Sequence, residues 1–196
     1  MTLEILTLRG TEATTHLPDL ARLRIRVFRE YPYLYDGSPD YEERYLSKYF
    51  STAESILVLG REPHDGRIVG ASTAMPMHAA EEVFQTAFQS SGRDLPGTYY
   101  LGESVLLPEY RGQGLGHRFF DEREAAARKA GFHTTAFCAV VRPPDHPQRP
   151  DDYRPLDGFW TRRGYIHHPE IRVSLDWKEP GEMQESPHQL SFWIRE

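Results

Sequence analysis

Apolar residues recur along this chain with two different periods, and the switches between them divide it into strands and helices. Leu3 to Leu8 alternates in character and predicts a strand. Leu20, Leu23, Val27 and Phe28 then recur at helical spacing, predicting a helix that starts near Thr15 or Pro18–Asp19, with Arg22, Arg24, Arg26 and Arg29 facing outward or sideways. Glu30 to Tyr41 is punctuated by Pro, Gly and Asp and predicts a loop, although it holds four tyrosines. A second helix is predicted from Tyr41 to Phe50, with Tyr41, Tyr45, Leu46 and Tyr49 on one side. Ser55 to Gly60 and Arg67 to Met77 predict two antiparallel strands, joined through the hairpin dipeptide Asp65–Gly66. Ala79 to Gln89 has helical composition. Tyr99 to Leu107 predicts a strand ended by Pro108, Leu115 to Ala130 a long helix stopped by Gly131, and His133 to Val141 another strand. After a proline-rich stretch, Arg142 to Asp157, come a short helix from Asp157 to Gly164 and two last strands, Ile171 to Trp177 and Gln189 to Arg195. This succession predicts an α/β (α+β) mixed sheet with helices on both faces.

Composition narrows the picture. At 196 residues the chain suits one domain spanning 1–196. Its 39% hydrophobic content supports a packed core and argues against disorder. A net charge of −6 without a basic stripe argues against nucleic acid as a partner on electrostatic grounds, and none is expected. Cys138 is the single cysteine, which excludes an internal disulfide framework and a Cys-rich zinc site, and no metal is expected. The N-terminus lacks the basic region and apolar run of a signal peptide, and no apolar stretch approaches the ~20 residues of a membrane span. The expectation is a soluble cytoplasmic protein with no membrane partner.

The chemistry concentrates between Tyr99 and Ala130. There a strand ends at Pro108, and Arg111, Gly112, Gln113, Gly114, Leu115 and Gly116 lead into a helix. A glycine-rich turn opening a helix offers free backbone N–H groups and the positive end of the helix dipole, an anion site suited to phosphate or pyrophosphate. No Gly-Lys-Ser/Thr follows, so this is not a P-loop, and the alternating glycines do not fit the dinucleotide fingerprint. The stretch closely resembles the acyl-CoA signature of the GNAT acyltransferase superfamily, Arg/Gln-x-x-Gly-x-Gly/Ala, with Arg111, Gly114 and Gly116 on the signature positions. Pro108, Tyr110 and Gly112 match common flanking residues.

That resemblance implies a GNAT-like fold of about seven mostly antiparallel strands, whose signature strand and the next one splay apart to admit acetyl-CoA. It implies that Arg111, Gly112, Gln113, Gly114, Leu115, Gly116 and His117 bind this cosubstrate through the turn and first helical residues. The backbone of Val105, Leu106 and Leu107 is expected to pair with the pantetheine arm, since separated strands leave backbone groups to satisfy. Many relatives carry, on the short helix, a tyrosine that protonates the departing thiolate. Trp160 stands there instead and would pack beside the arm, and Tyr153 occupies the place of a common asparagine. The implied reaction is acyl transfer to the amine of a small-molecule or peptide acceptor, and the resemblance also allows a homodimer. An alternative is a non-catalytic acyl-CoA sensor of the same fold.

Acyl transfer to an amine needs a base, and Glu103, on the signature strand, is the candidate. Burial would raise its pKa toward a useful range; the competing reading is that it binds substrate or an arginine. With no tyrosine at Trp160, Tyr153 is the nearest alternative acid, and the Leu106 N–H would stabilise the oxyanion. Other readings stay open. Tyr31, Tyr33 and Tyr35 line a pocket or cover the core. One of the four arginines orders an anionic acceptor, or all are solvated. Cys138 is a buried thiol or an acyl carrier. His146 is an exposed loop histidine or catalytic. The 78–98 segment reads as a lid or subfamily insertion, and 142–157 as a rigid acceptor-binding loop.

Overall fold

A computed structural model describes residues 3–196. Seven strands form one sheet: β1 (Glu4–Arg9), β2 (Ile56–Arg61), β3 (Ile68–Pro76), β4 (Thr98–Leu106), β5 (Thr134–Val140), β6 (Ile166–Trp177) and β7 (Ser186–Arg195). Five α-helices accompany them: α1 (Leu17–Phe28), α2 (Pro39–Tyr49), α3 (Glu82–Ser90), α4 (Leu115–Lys129) and α5 (Asp157–Arg162). The strand order is β1-β2-β3-β4-β5-β7-β6, antiparallel throughout except where β4 meets β5. The expected mixed sheet with helices on both faces is therefore what the chain forms. The helical composition of 79–89 becomes α3, and a 3₁₀ turn over Gly10–His16 precedes α1.

Neighbouring residues of a strand face opposite ways, and β7 shows which helices share a face. Phe192 meets Phe88 of α3, while Trp193 meets Trp160 of α5. Tyr100 packs on Phe84 of α3 and lies among Tyr45 and Tyr49 of α2, so α2 and α3 share one face. The central strands β2 and β3 are buried almost throughout, and both read as runs of apolar and small residues rather than alternating ones. Gly131, at φ +87°, closes α4: Phe132 N–H bonds Ala127 O and Gly131 N–H bonds Arg128 O, the paired bonds of a Schellman ending.

Three expectations need correction. On α1 the buried stripe is Leu17, Leu20, Leu23, Arg24 and Phe28, so Arg24 points inward rather than out. It stands four residues from both Leu20 and Phe28 and shares their face. On α2, capped by Ser38 and begun by Pro39, the buried face is Glu42, Leu46 and Tyr49, and Tyr41 is exposed. Leu46, Tyr49 and the partly buried Tyr45 lie on the side read from the sequence, and Glu42 rather than Tyr41 completes it. Finally, β6 begins at Ile166, earlier than Ile171. Its first part is exposed and a register break follows His168, so the alternation that marks Ile171 onward does not begin until then.

Two structural features bear on function. First, β4 and β5 pair only through Thr98–Thr134, Tyr99–Thr135 and Tyr100–Ala136, and then part. Ser104 is exposed in the middle of a seven-stranded sheet because its neighbour has gone. Second, the β3–β4 register breaks between Ser72 and Ala74, beside Gly102 and Glu103.

Candidate functional site

The open end of the β4–β5 gap leads to the turn before α4. Gly112 and Gly114 adopt φ +75° and +84°, a left-handed conformation that glycine reaches without a side-chain penalty. Gly114 is the N-cap of α4, with no capping side chain and no acidic residue in the first turn. The N–H groups of Gly112, Gln113, Gly114, Leu115 and Gly116 donate no hydrogen bond within the described residues. Five unbonded donors at the positive end of a fifteen-residue helix form an anion cradle. A Cβ built on Gly112 or Gly114 meets nothing within 4 Å, so the space above the turn is open.

The other residues expected at this loop take different parts. Arg111 bonds its own N–H to Pro108 O, and its side chain turns back, from Nε to Leu106 O at 3.1 Å and from Nη1 to Glu30 at 2.9 Å. It ties the end of β4 to the chain beyond α1. Gln113 bonds Glu109 O through Nε2 at 3.1 Å. His117 is exposed, edge-on to Phe159 and 3.3 Å from Arg163 Nη1.

Of the three residues expected to offer backbone to the gap, Leu107 has none to spare. Its N–H bonds Val69 O at 3.0 Å and its C=O accepts from Tyr110 at 3.0 Å. Bonding in an antiparallel pair repeats every second residue, so Val105, opposite Ala71, also turns its backbone to β3. Leu106, between them, turns its N–H toward the gap, while its C=O is taken by Arg111.

Glu103 lies on the α1 side of the sheet, buried at 7% exposure. Its Oε2 accepts from Arg24 Nη1 at 2.8 Å, and its Oε1 has no hydrogen-bond partner among the described residues. Arg24 in turn donates from Nε to Glu42, which is fully buried. Glu103 thus binds an arginine, the alternative reading in the sequence. Burial raises its pKa above the ordinary glutamate value, Arg24 opposes that shift, and Glu42 adds to it. Beneath the same stretch of β4, Arg123 of α4 is buried at 1% exposure. Gly102 is required here by close approach: a Cβ on it would stand 2.5 Å from Thr73 Oγ1 and 2.9 Å from the Tyr49 hydroxyl.

Tyr153 and Trp160 make no ring contact with each other among the described residues. The Tyr153 ring is edge-on to Tyr31 at 4.7 Å and carries the Arg149 guanidinium at 5.0 Å, while Tyr31 also meets His146 at 5.6 Å. These contacts join the loop after α1 to the proline-rich loop after β5. Arg142 locks the same junction, donating to Pro32 O and Tyr33 O at 2.7 Å each and pairing with Glu179 at 2.7 Å. Trp160 packs against Phe137 and Trp193, each at 5.1 Å, and anchors α5 to β5 and β7. Cys138 is buried, and desolvation holds its thiol well above the ordinary value, which favours the buried-thiol reading over an acyl carrier.

Arg24, Glu42 and Arg123 were not singled out as site residues from the sequence. Arg24 and Glu42 each carried a usable signal, an i±4 place on an apolar stripe, but a charged residue is most often solvated. Among the described residues, no three His, Cys, Asp or Glu side chains converge to hold a metal, and no helix is long and apolar enough to cross a membrane.

Solved structures of low sequence identity share this fold. An acyl-CoA N-acyltransferase from Pseudomonas aeruginosa is 16% identical with a TM-score of 0.58, covering 100% of both chains. A ribosomal-protein-alanine N-acetyltransferase from Brucella melitensis is 13% identical with a TM-score of 0.60, covering 97% of this chain and 98% of that one. A GCN5-related N-acetyltransferase from Kribbella flavida is 14% identical with a TM-score of 0.57, covering 99% of this chain and 97% of that one. No curated protein matches the sequence. The sequence model of the acetyltransferase (GNAT) family matches residues 20–150, from within α1 through the signature turn and beyond β5. The chain belongs to the GNAT acetyltransferase family.

Proposed function

We propose that this protein transfers an acetyl group from acetyl-CoA to an amine of a small-molecule or peptide acceptor by direct attack, assisted by a general base. The observation that carries the proposal is the pairing of an open β4–β5 gap with five unbonded N–H groups where it meets α4. An anionic head group and an amide-bearing arm need those two features side by side. The turn at 112–116 would hold the pyrophosphate, the Leu106 N–H would bond the arm or the developing oxyanion, and His117 and Trp160 would border the donor.

In this scheme the amine nitrogen bonds to the thioester carbonyl carbon, the carbon–sulfur bond breaks, and the proton shed by the nitrogen passes to Glu103. Its unpartnered Oε1 supports that role. Trp160 carries no acid, so Tyr153 or water returns a proton to the sulfur.

The experiment has two arms. Coenzyme A should raise the melting temperature of the protein, and acetyl-CoA should release free thiol when a panel of amines is added. Glu103→Gln should keep the first response and lose the second. Binding without thiol release for any amine would replace the enzyme with the acyl-CoA sensor of the same fold.

A further inference from the structure

The most concentrated buried chemistry outside the donor loop is the chain Glu42–Arg24–Glu103, drawn from α2, α1 and β4. One guanidinium serves two carboxylates, through Nε to Glu42 Oε2 and through Nη1 to Glu103 Oε2, the second at 2.8 Å. Two aromatic rings hold the guanidinium, with Tyr45 at 4.7 Å and Phe28 at 5.1 Å from Cζ. Each carboxylate keeps one buried oxygen, Oε1, without a hydrogen-bond partner among the described residues.

The charged and titratable groups acting on Glu103 come from every packed element. Arg24 lies on α1, Glu42, Tyr45 and Tyr49 on α2, Tyr33 on the loop between these helices, and Arg123 on α4. A buried ion triad contributes little stability over well-packed apolar residues. Its consequence lies instead in the state of the carboxylates that it holds.

We propose that Arg24 and Glu42 are positioning residues for Glu103: Arg24 occupies Oε2 and keeps the carboxyl ionised, so that Oε1 is the oxygen left to take a proton, and Glu42 fixes the guanidinium and moderates its pull. The proposal rests on the reading of Glu103 as the base. The fork opposes the burial that otherwise favours the protonated carboxyl, since Arg24 stabilises the charged form at contact distance. Arg24 supplies the opposing charge at contact distance, and Glu42 withdraws part of it.

The test is a carbon-13 NMR pH titration of glutamate side-chain carboxyls, with the Glu103 resonance identified by its absence in Glu103→Gln. Arg24→Met should raise the Glu103 midpoint by about 1–3 pH units, because an opposite charge at this range has that effect. Glu42→Gln should lower the midpoint, since it removes a like charge and leaves Arg24 to Glu103 alone. Arg24→Lys should titrate close to wild type. Opposite shifts from two neighbouring substitutions are not what loosened packing produces. The proposal is overturned if both variants move the midpoint the same way or neither moves it. Should Arg24→Met fail to fold, the near-isosteric Glu42→Gln decides alone, and a midpoint that rises or stays overturns the idea. The base reading is tested separately: full turnover by Glu103→Gln would remove the base while the titrations still report on the fork.

Discussion

Arg123 Nη1 donates to the main-chain oxygen of Glu103 at 3.3 Å and to that of Thr73 at 3.4 Å, so one side chain from α4 binds both strands beside the break in their register. A register break leaves backbone groups without ladder partners, and buried ones have to be satisfied elsewhere. Arg123 also bonds Phe119 O at 3.1 Å and covers the Phe120 ring. Burial pushes its pKa down to about 10, which leaves it charged at neutral pH. The Glu103 carboxylate on one face and this guanidinium on the other meet at the same residue of β4.

Arg123→Met should therefore destabilise the fold, although methionine fills much of the same space. Each buried acceptor left unpaired costs roughly 1–3 kcal/mol. Urea unfolding should show a lower midpoint with an unchanged slope. A variant as stable as wild type would mean that those carbonyls find other partners.

Gly114→Val should weaken coenzyme A binding strongly in a protein that still folds. Nothing crowds the position, so the substitution meets no clash in the free protein. Its cost is the left-handed backbone at φ +84°, about 1–2 kcal/mol for a residue with a Cβ, and side-chain bulk over the bare N–H groups. Calorimetric titration measures the affinity, and wild-type affinity in a folded Gly114→Val protein would remove the anion cradle from its assigned place.

Local features were legible in the sequence; long-range pairings were not. The turn at 111–116 could be read because glycine spacing before a helix has a local meaning, and Gly131 could be read as a helix stop for the same reason. Glu103 could be singled out as a carboxylate on an apolar strand. Its partner could not, because Arg24 lies far away in the chain and charge alone places arginine outside. Arg123 was hidden in the same way, since its task is set by a register break that no local pattern announces. That Val105 and Leu107 turn their backbone to β3 rather than to the gap was hidden too, because backbone direction depends on which neighbour a strand pairs with.

Cys138 should resist thiol reagents while the protein is folded. Desolvation holds its thiol well above the ordinary value and little of it is exposed, so almost no reactive thiolate is present near neutral pH. Ellman's reagent should report no fast-reacting thiol in native protein and one in denaturant. Rapid labelling of the native protein would reopen the acyl-carrier reading.

The pH dependence of turnover should separate the two candidate proton-transfer groups. A base works only when deprotonated, so the rate falls as pH drops through its pKa. Burial raises Glu103 above the ordinary glutamate value, with Arg24 opposing, so the acidic limb should lie above that value. Glu103→Gln should lower kcat by roughly 10²–10⁴-fold and abolish that limb while acetyl-CoA affinity holds. Tyr153 differs. Burial raises its phenol, which keeps it protonated and able to donate, but its ring is engaged between Tyr31 and Arg149 in the junction of two loops. Tyr153→Phe retains that packing and removes only the hydroxyl, so the loss in kcat should be small if water can protonate the sulfur. A Tyr153→Phe protein that binds acetyl-CoA normally and is nearly inactive would make the tyrosine the principal acid. A Glu103→Gln protein that keeps both rate and limb would require another base.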